Sequence, residues 1–325
     1  MTKKSIYIKK GVQAPDGRVR YEFVIIGTGK PRRQVFGLDD LIPPATKFFR
    51  WVSERNLLVT QEVKQEVAAE LERRPTPKMG YFAELPGWYG KSFVTPRRIY
   101  GEDRDVIIND TPATTRSKWR RKGDLHEFRR WARKNLDYSP VAIFLMAHAL
   151  AGPLLRWTGH KSIVAMLVGP SSIGKSTLQR VCGSLWGGAD GKDFMETFSK
   201  SLEPFESAAL RHRDCLLVLN ETHLLDRNEA ERGRKLQNLL FRFESGVAKE
   251  IYGKETPSEE MRGALLLSSN ETTADILRKA GREFSRELAV RILEIPVDGS
   301  FPVFKIDESN MATRMSRVDA YSEFA

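Results

Sequence analysis

Gly169-Pro170-Ser171-Ser172-Ile173-Gly174-Lys175-Ser176 is the stretch on which the fold turns. It satisfies G-x-x-x-x-G-K-[ST] in full, with an apolar run, Ser162 to Val168, before it and a helix-forming run from near Gly174 to Trp186 after it. Strand, glycine-bounded loop and helix in that order make a phosphate cradle. Gly169 and Gly174 let the backbone wrap close to phosphate, so that successive N–H groups face the negative charge, and the helix adds the positive end of its dipole. Lys175 is expected to reach the β- and γ-phosphates and the Ser176 hydroxyl to coordinate Mg2+. Pro170, Ser171, Ser172, Ile173 and Thr177 complete the expected nucleotide-binding set. ATP and Mg2+ are therefore the expected cofactors.

Downstream, strand and helix patterns alternate, the mark of a parallel sheet covered on both faces. A weak strand is expected at Phe194 to Phe198, a helix at Leu202 to Arg211 and a buried strand at Cys215 to Leu219. Leu236, Leu239, Leu240 and Phe243 recur at i, i+3, i+4 and i+7 and predict a helix with one apolar face. Strands follow at Ala264 to Leu267 and Val290 to Ile295. The strand ending Leu219-Asn220-Glu221 has the shape of a hydrolytic acidic strand, with Glu221 expected to orient and polarise the attacking water. Asn220 stands where an Asp usually orients the metal; its amide can bond a metal-bound water but supplies no charge. Asn270, closing Leu265-Leu266-Leu267-Ser268-Ser269, is the candidate γ-phosphate sensor. Arg278, Arg282, Arg286 and Arg291 follow, and Arg282 leads as the cation that reaches a neighbouring subunit's γ-phosphate.

Upstream, residues 5 to 27 read as a β-hairpin turning at Pro15-Asp16-Gly17, followed by a short helix bearing Phe48, Phe49, Trp51 and Val52. Thr60 is the expected N-cap of a second helix through Val63, Val67 and Leu71. Gly80 to Gly101 reads as short strands and turns, Asp124 to Leu136 and Pro140 to Leu155 as helices. This divides the chain into an N-terminal α+β region (1–110), a basic linker with helices (111–160) and the ATPase core (161–325). The apolar run Val141 to Leu155, broken by His148, Gly152 and Pro153, reads as too short to cross a bilayer. Two apolar-flanked cysteines, Cys182 and Cys215, make no disulfide framework or zinc spacing, and a cytoplasmic location is expected.

The 325 residues carry 53 Lys and Arg against 42 Asp and Glu, a net charge of +11 that favours polyanionic partners. Two segments are expected to touch DNA. One is Arg116 to Lys122, where Lys118, Arg120 and Arg121 surround Trp119 and suit phosphate contact with base stacking. The other is Lys249 to Lys254, a strand-like hairpin with Lys249, Tyr252 and Lys254.

Four stretches together carry a family likeness: Gly87-Trp88-Tyr89-Gly90, Gly152-Pro153-Leu154-Leu155, the phosphate loop with its paired serines, and Ser184-Leu185-Trp186-Gly187. They resemble the Cch-like helicase domain of mobile genetic elements and phages, related to MCM-type AAA+ ATPases, over roughly residues 80 to 300. The resemblance implies an α/β P-loop NTPase of the additional-strand type, working as an ATP-driven motor on single-stranded or forked DNA in a homo-oligomeric ring, a hexamer. It maps phosphate binding to Lys175, metal binding to Ser176, the hydrolytic carboxylate to Glu221 and the sensor to Asn270. The sequence departs from the pattern at Asn220 and stops at Ala325, about where a helical lid is expected to begin. Two other functions fit the motifs: an ATP-gated DNA-binding or loader protein with weak hydrolysis, and a small-molecule P-loop kinase. The basic charge and the long N-terminal region disfavour the kinase.

Overall fold

The computed structural model describes residues 6–26, 31–41, 44–54, 58–102, 105–108, 116, 118–120, 123–136, 140–160, 162–188, 194–198, 203–246 and 260–297. The chain divides into two compact units, Met1–Pro112 and Ala113–Ala325.

In the first unit β1 (Ile6–Gln13) and β2 (Val19–Ile25) form the expected antiparallel hairpin. Its turn is closed by the Ala14 N–H on the Arg18 carbonyl at 2.8 Å. A strand that the sequence did not announce, β3 (Arg32–Gly37), pairs with β2, and the short β4 (Lys78–Met79) joins β1 in parallel. Helix α1 (Thr46–Ser53) lays Phe48, Trp51 and Val52 on this sheet. Phe48 meets Phe23 at 4.9 Å and Phe36 at 5.0 Å between centroids, both edge to face, the favoured aromatic geometry. Helix α2 (Gln61–Glu72) starts on its Thr60 cap, whose side chain accepts from Val63 N–H. It also covers part of the β1 edge. Glu66 and Glu70, one helical turn apart, accept from the N–H groups of Ile6 (3.3 Å) and Ile8 (3.1 Å), donors that β4 does not reach. The rest of the unit is short strands: β5 (Tyr81–Ala83) parallel to β9 (Val106–Ile108), and the antiparallel β6 (Gly87–Tyr89), β7 (Ser92–Val94) and β8 (Ile99–Gly101).

The second unit is built on a five-stranded parallel sheet. Its strands are β10 (Ser162–Val168), β11 (Glu196–Thr197), β12 (Cys215–Asn220), β13 (Gly263–Ser269) and β14 (Leu293–Pro296), in the order β11-β12-β13-β10-β14. The period of two sends alternate residues to opposite cores. Val164, Met166, Leu217, Leu219, Leu265 and Leu267 join one core with Leu236, Leu239, Leu240 and Phe243. Ala165, Leu167, Leu216, Val218, Ala264 and Leu266 join the other with Leu145, Ala149, Leu178 and Cys182. Both faces are covered, so the strands read as continuous apolar runs.

The helices of this unit are α3 (Leu125–Leu136), α4 (Pro140–Ala151), α5 (Leu155–Thr158), α6 (Lys175–Ser184), α7 (Glu203–Arg211), α8 (Glu229–Ser245), α9 (Thr273–Lys279) and α10 (Arg286–Ala289). The run from Pro140 corrects one expectation. Pro140–Thr158 is helical for 19 residues, long and apolar enough to cross a membrane by length and composition alone. It lies on the sheet instead: Ala142, Leu145, His148 and Ala149 are buried, and the His148 Nε2 bonds the Leu265 carbonyl at 3.1 Å. A turn of 3-10 helix at Gly152–Leu154 carries the helix past Pro153 and on to Thr158.

Candidate nucleotide site

The Gly169–Ser176 loop leaves the C-terminal end of β10 and enters α6 through Gly174, whose left-handed backbone (φ 99°) precedes the first helical residue, Lys175. A side chain at Gly169 would place its Cβ 2.1 Å from the Val297 carbonyl oxygen, so only glycine passes the chain just beyond β14 there. Lys175 Nζ donates to the Gly169 carbonyl at 2.5 Å, the Pro170 carbonyl at 2.6 Å and Asn270 Oδ1 at 2.9 Å. Burial lowers the Lys175 pKa, and the nearby Glu221 charge opposes that shift. All three acceptors are neutral, so an anion entering the loop would be a stronger partner for the ammonium.

Strand order assembles the remaining groups. Because β13 lies between β10 and β12, its end sits between the loop and the acidic strand. Asn270 Nδ2 donates to Ser171 Oγ at 3.1 Å, and Gly169 N–H donates to the Ser269 carbonyl at 3.2 Å, which stitches the loop to β13. On the other side Ser268 Oγ donates to Asn220 Oδ1 at 3.0 Å and accepts from Glu221 N–H at 3.0 Å. Ser176 Oγ also donates to Asn220 Oδ1, at 3.3 Å. Lys175, Ser176, Asn220, Glu221 and Asn270 therefore meet at the C-terminal ends of the inner strands β12, β13 and β10.

Glu221 holds φ 59° and ψ 93°, a conformation costing a non-glycine residue about 1–3 kcal/mol. The carboxylate is half exposed, 3.4 Å from His223 Nε2. Sequence reasoning missed His223 and three other contributors. Ser268 and Ser269 were read only as strand residues; Ser269 accepts from Thr222 Oγ1 at 2.8 Å. Gln179 is fully buried and donates from Nε2 to the Leu219 carbonyl (3.1 Å) and the Leu266 carbonyl (3.4 Å), tying α6 across β12 and β13. A polar residue on the apolar face of α6 was the available signal.

The other predicted residues lie apart from this group. Arg282 donates to Gln237 Oε1 at 2.8 Å, Arg278 pairs with Asp275 at 2.6 Å, and Arg291 pairs with Glu244 at 3.2 Å over the Phe241 ring. The base stacking expected of Trp119 is corrected. Trp119 is 5% exposed, packed on Trp186, Phe194 and His212, so its ring faces no solvent-borne base. Lys118 pairs with Glu196 at 3.0 Å and donates to the Met195 carbonyl. Burial of Glu196 raises its pKa, but hydrogen bonds and charge from His212 and Lys118 outweigh it and hold the carboxyl at about 2. Arg120 is exposed. Arg121, Lys249, Tyr252 and Lys254 lie outside the described residues.

Two of the four family stretches now have a physical role, and both concern close approach. A Cβ on Gly187 would lie 2.0 Å from the Lys118 carbonyl oxygen, and one on Gly152 would lie 2.7 Å from that of Cys215. Trp186 Nε1 donates to the Ala149 carbonyl at 2.9 Å, tying the end of α6 to α4.

The structure superposes on "SCCmec type IV Cch - active helicase" with a TM-score of 0.67 at 13% identity, covering 98% of this chain and 58% of that one. At that identity the likeness shows the fold alone, a helicase-like mixed α/β fold, and the chain spans just over half the helicase's length. Weaker superpositions are found with "The A form apo structure of NrS-1 C terminal region-CTR" (TM-score 0.43, 12% identity, 99% of this chain, 65% of that one). "The X-ray structure of JCV Helicase" gives a TM-score of 0.37 at 13% identity, over 57% of this chain and 47% of that one. No curated protein matches in sequence. The chain belongs to the family described as "Domain of unknown function (DUF927)", which matches residues 41–250.

Proposed function

We propose that this chain is a P-loop NTPase of the additional-strand, AAA+ type, and that it works as the ATP-hydrolysing motor of a DNA helicase or translocase. The observation that carries the reading is the meeting of Lys175, Asn270, Ser176, Asn220 and Glu221 at the C-terminal ends of these inner strands, with Lys175 Nζ 2.9 Å from Asn270 Oδ1 and Ser176 Oγ 3.3 Å from Asn220 Oδ1. In this reading Lys175 leaves the loop carbonyls for the β- and γ-phosphates, and Asn270 follows the γ-phosphate. Glu221 orients the attacking water and draws its proton as the oxygen bonds the γ-phosphorus and ADP departs.

The donor set suits Mg2+, which needs few protein oxygens because it keeps waters and phosphate oxygens as its other ligands. Among the described residues no three His, Cys, Asp or Glu side chains gather into a metal cage, and the Ser176 hydroxyl with the Asn220 amide oxygen is the pair that would hold it. When bound, the ion would neutralise negative charge on the nucleotide's phosphates. The proposed assembly is a homo-oligomeric ring, a hexamer, with Arg282 the leading candidate to reach the neighbour's nucleotide.

One observation favours a second reading. Asn220 supplies no charge, and its Oδ1 already accepts from Ser176 and Ser268. That suits an ATP-gated DNA-binding or loader protein whose hydrolysis is slow. ATP turnover with and without single-stranded DNA separates the two. A motor is stimulated several-fold, whereas a loader hydrolyses slowly at either condition and changes its DNA affinity with nucleotide. Turnover and DNA binding that ignore each other would sink both.

A further inference from the structure

The small antiparallel sheet of the first unit aligns a row of aromatic rings. Its register sets Trp88 opposite Phe93 and Phe93 opposite Tyr100, so the three lie in line on one face. Trp88 and Phe93 pack edge to face at 5.1 Å between centroids. Trp88 is half-buried, Phe93 between its neighbours is 9% exposed, and Tyr100, on the outer strand β8, is the most open ring of the three at 48% exposed. All three residues of β8 are exposed, Ile99 at 38%. An outer strand that shows an aromatic and an aliphatic side chain to solvent is a surface that proteins ordinarily blunt unless something binds it.

The charges around the row point to the partner. Residues 91–101 hold Lys91, Arg97 and Arg98 and no acid. Lys91, before β7, and the two arginines, at the opposite end of the hairpin, are all exposed, so cations bracket Tyr100 along the strand. The arginine turn is fixed by the fold. Thr95 N–H donates to the Arg98 carbonyl at 2.8 Å, and Thr95 Oγ1 accepts from the N–H groups of Arg97 (3.4 Å) and Arg98 (3.1 Å). An exposed ring flanked by exposed cations on a turn of fixed backbone matches a strand of phosphates carrying unpaired bases.

We propose that the β7–β8 hairpin is a single-stranded DNA contact, in which Tyr100 stacks on a base while Lys91, Arg97 and Arg98 meet phosphates. The proposal rests on the DNA-motor reading above and gives that reading a surface in place of Trp119. The test uses the full chain and a fluorescent oligo-dT, with affinity read by anisotropy over a salt series and ATP turnover measured without DNA. Tyr100→Ala weakens binding by about 5- to 100-fold, and Tyr100→Phe restores it, because the stack needs only the ring. Arg97→Ala with Arg98→Ala makes the slope of log affinity against log salt shallower by about 1.4. DNA-free ATP turnover and melting temperature stay at wild-type values in every variant, since these side chains are exposed. If wild-type protein binds no DNA, the motor reading falls and this proposal with it. If wild type binds and the variants bind equally well, only this surface is refuted, and the face belongs to a protein contact instead.

Discussion

Replacing Trp119 by alanine separates two opposed views of the basic segment at Arg116 to Lys122. If the ring met DNA, the substitution would lower affinity and leave the fold intact. The structure puts the ring 5% exposed among Trp186 (6.2 Å between centroids), Phe194 (5.1 Å) and His212 (5.5 Å). Emptying such a site removes a large apolar surface and leaves a cavity that the backbone contact of Lys118 with Gly187 and Gly188 hinders from collapsing. Trp→Ala changes in packed cores cost about 3–5 kcal/mol. For a unit of the size of Ala113–Ala325 that lowers the melting temperature by about 6–20 °C. The assay is thermal unfolding followed by circular dichroism, paired with oligonucleotide binding at a temperature where the variant is folded. The expected result is a large loss of stability with DNA affinity within about two-fold of wild type. An unchanged melting temperature with affinity lowered by about 5-fold or more would refute the packing argument and restore the stacking one.

Glu221 yields a paired outcome: Glu221→Gln binds ATP but turns it over at least about 100-fold more slowly, whereas Glu221→Gly also loses turnover yet gains about 1 kcal/mol in urea unfolding by relieving φ 59°. A glycine variant less stable than wild type would show that the strain is not real. Acid should destabilise the second unit in two windows. Buried His148 has a lowered pKa, so the unfolded chain binds the extra proton and stability falls as pH drops below about 6.5. Glu196 is depressed from 4.5 to about 2, so its contribution, at most about 3 kcal/mol, is lost as pH falls from 4.5 toward 2. Urea midpoints that stay level from about pH 7 to pH 3 would contradict both.

The parallel sheet was legible because its strands are buried on both faces and bounded by helices whose apolar periods are clear. Cys215–Asn220 and Gly263–Ser269 carry almost no polar residue until they reach the site. β3 was not legible, since it opens with Arg32, Arg33 and Gln34 and shows only Val35 and Phe36 to a core. The phosphate loop could be read because its chemistry and its sequence spacing coincide. Ser268 and Gln179 could not, because their partners lie 48 and 40 residues away and become neighbours only through strand order. Trp119 failed for the same reason. Its local cations suggested solvent, while the rings that bury it come from positions 186, 194 and 212. Lys118 looked free until Glu196 met it across the fold.

On the function proposed above, the C-terminal ends of β10, β12 and β13 form a working nucleotide site. Its most direct test is ATP turnover by the wild-type chain and by Lys175→Ala, with the melting temperature of each recorded alongside. Among the described residues Lys175 Nζ bonds two loop carbonyls and Asn270, so its removal should leave the fold within about 1 kcal/mol of wild type. Turnover should fall by about 100-fold or more with the loss of the cation that faces the β- and γ-phosphates. A folded Lys175→Ala protein that hydrolyses ATP at the wild-type rate would contradict the claim.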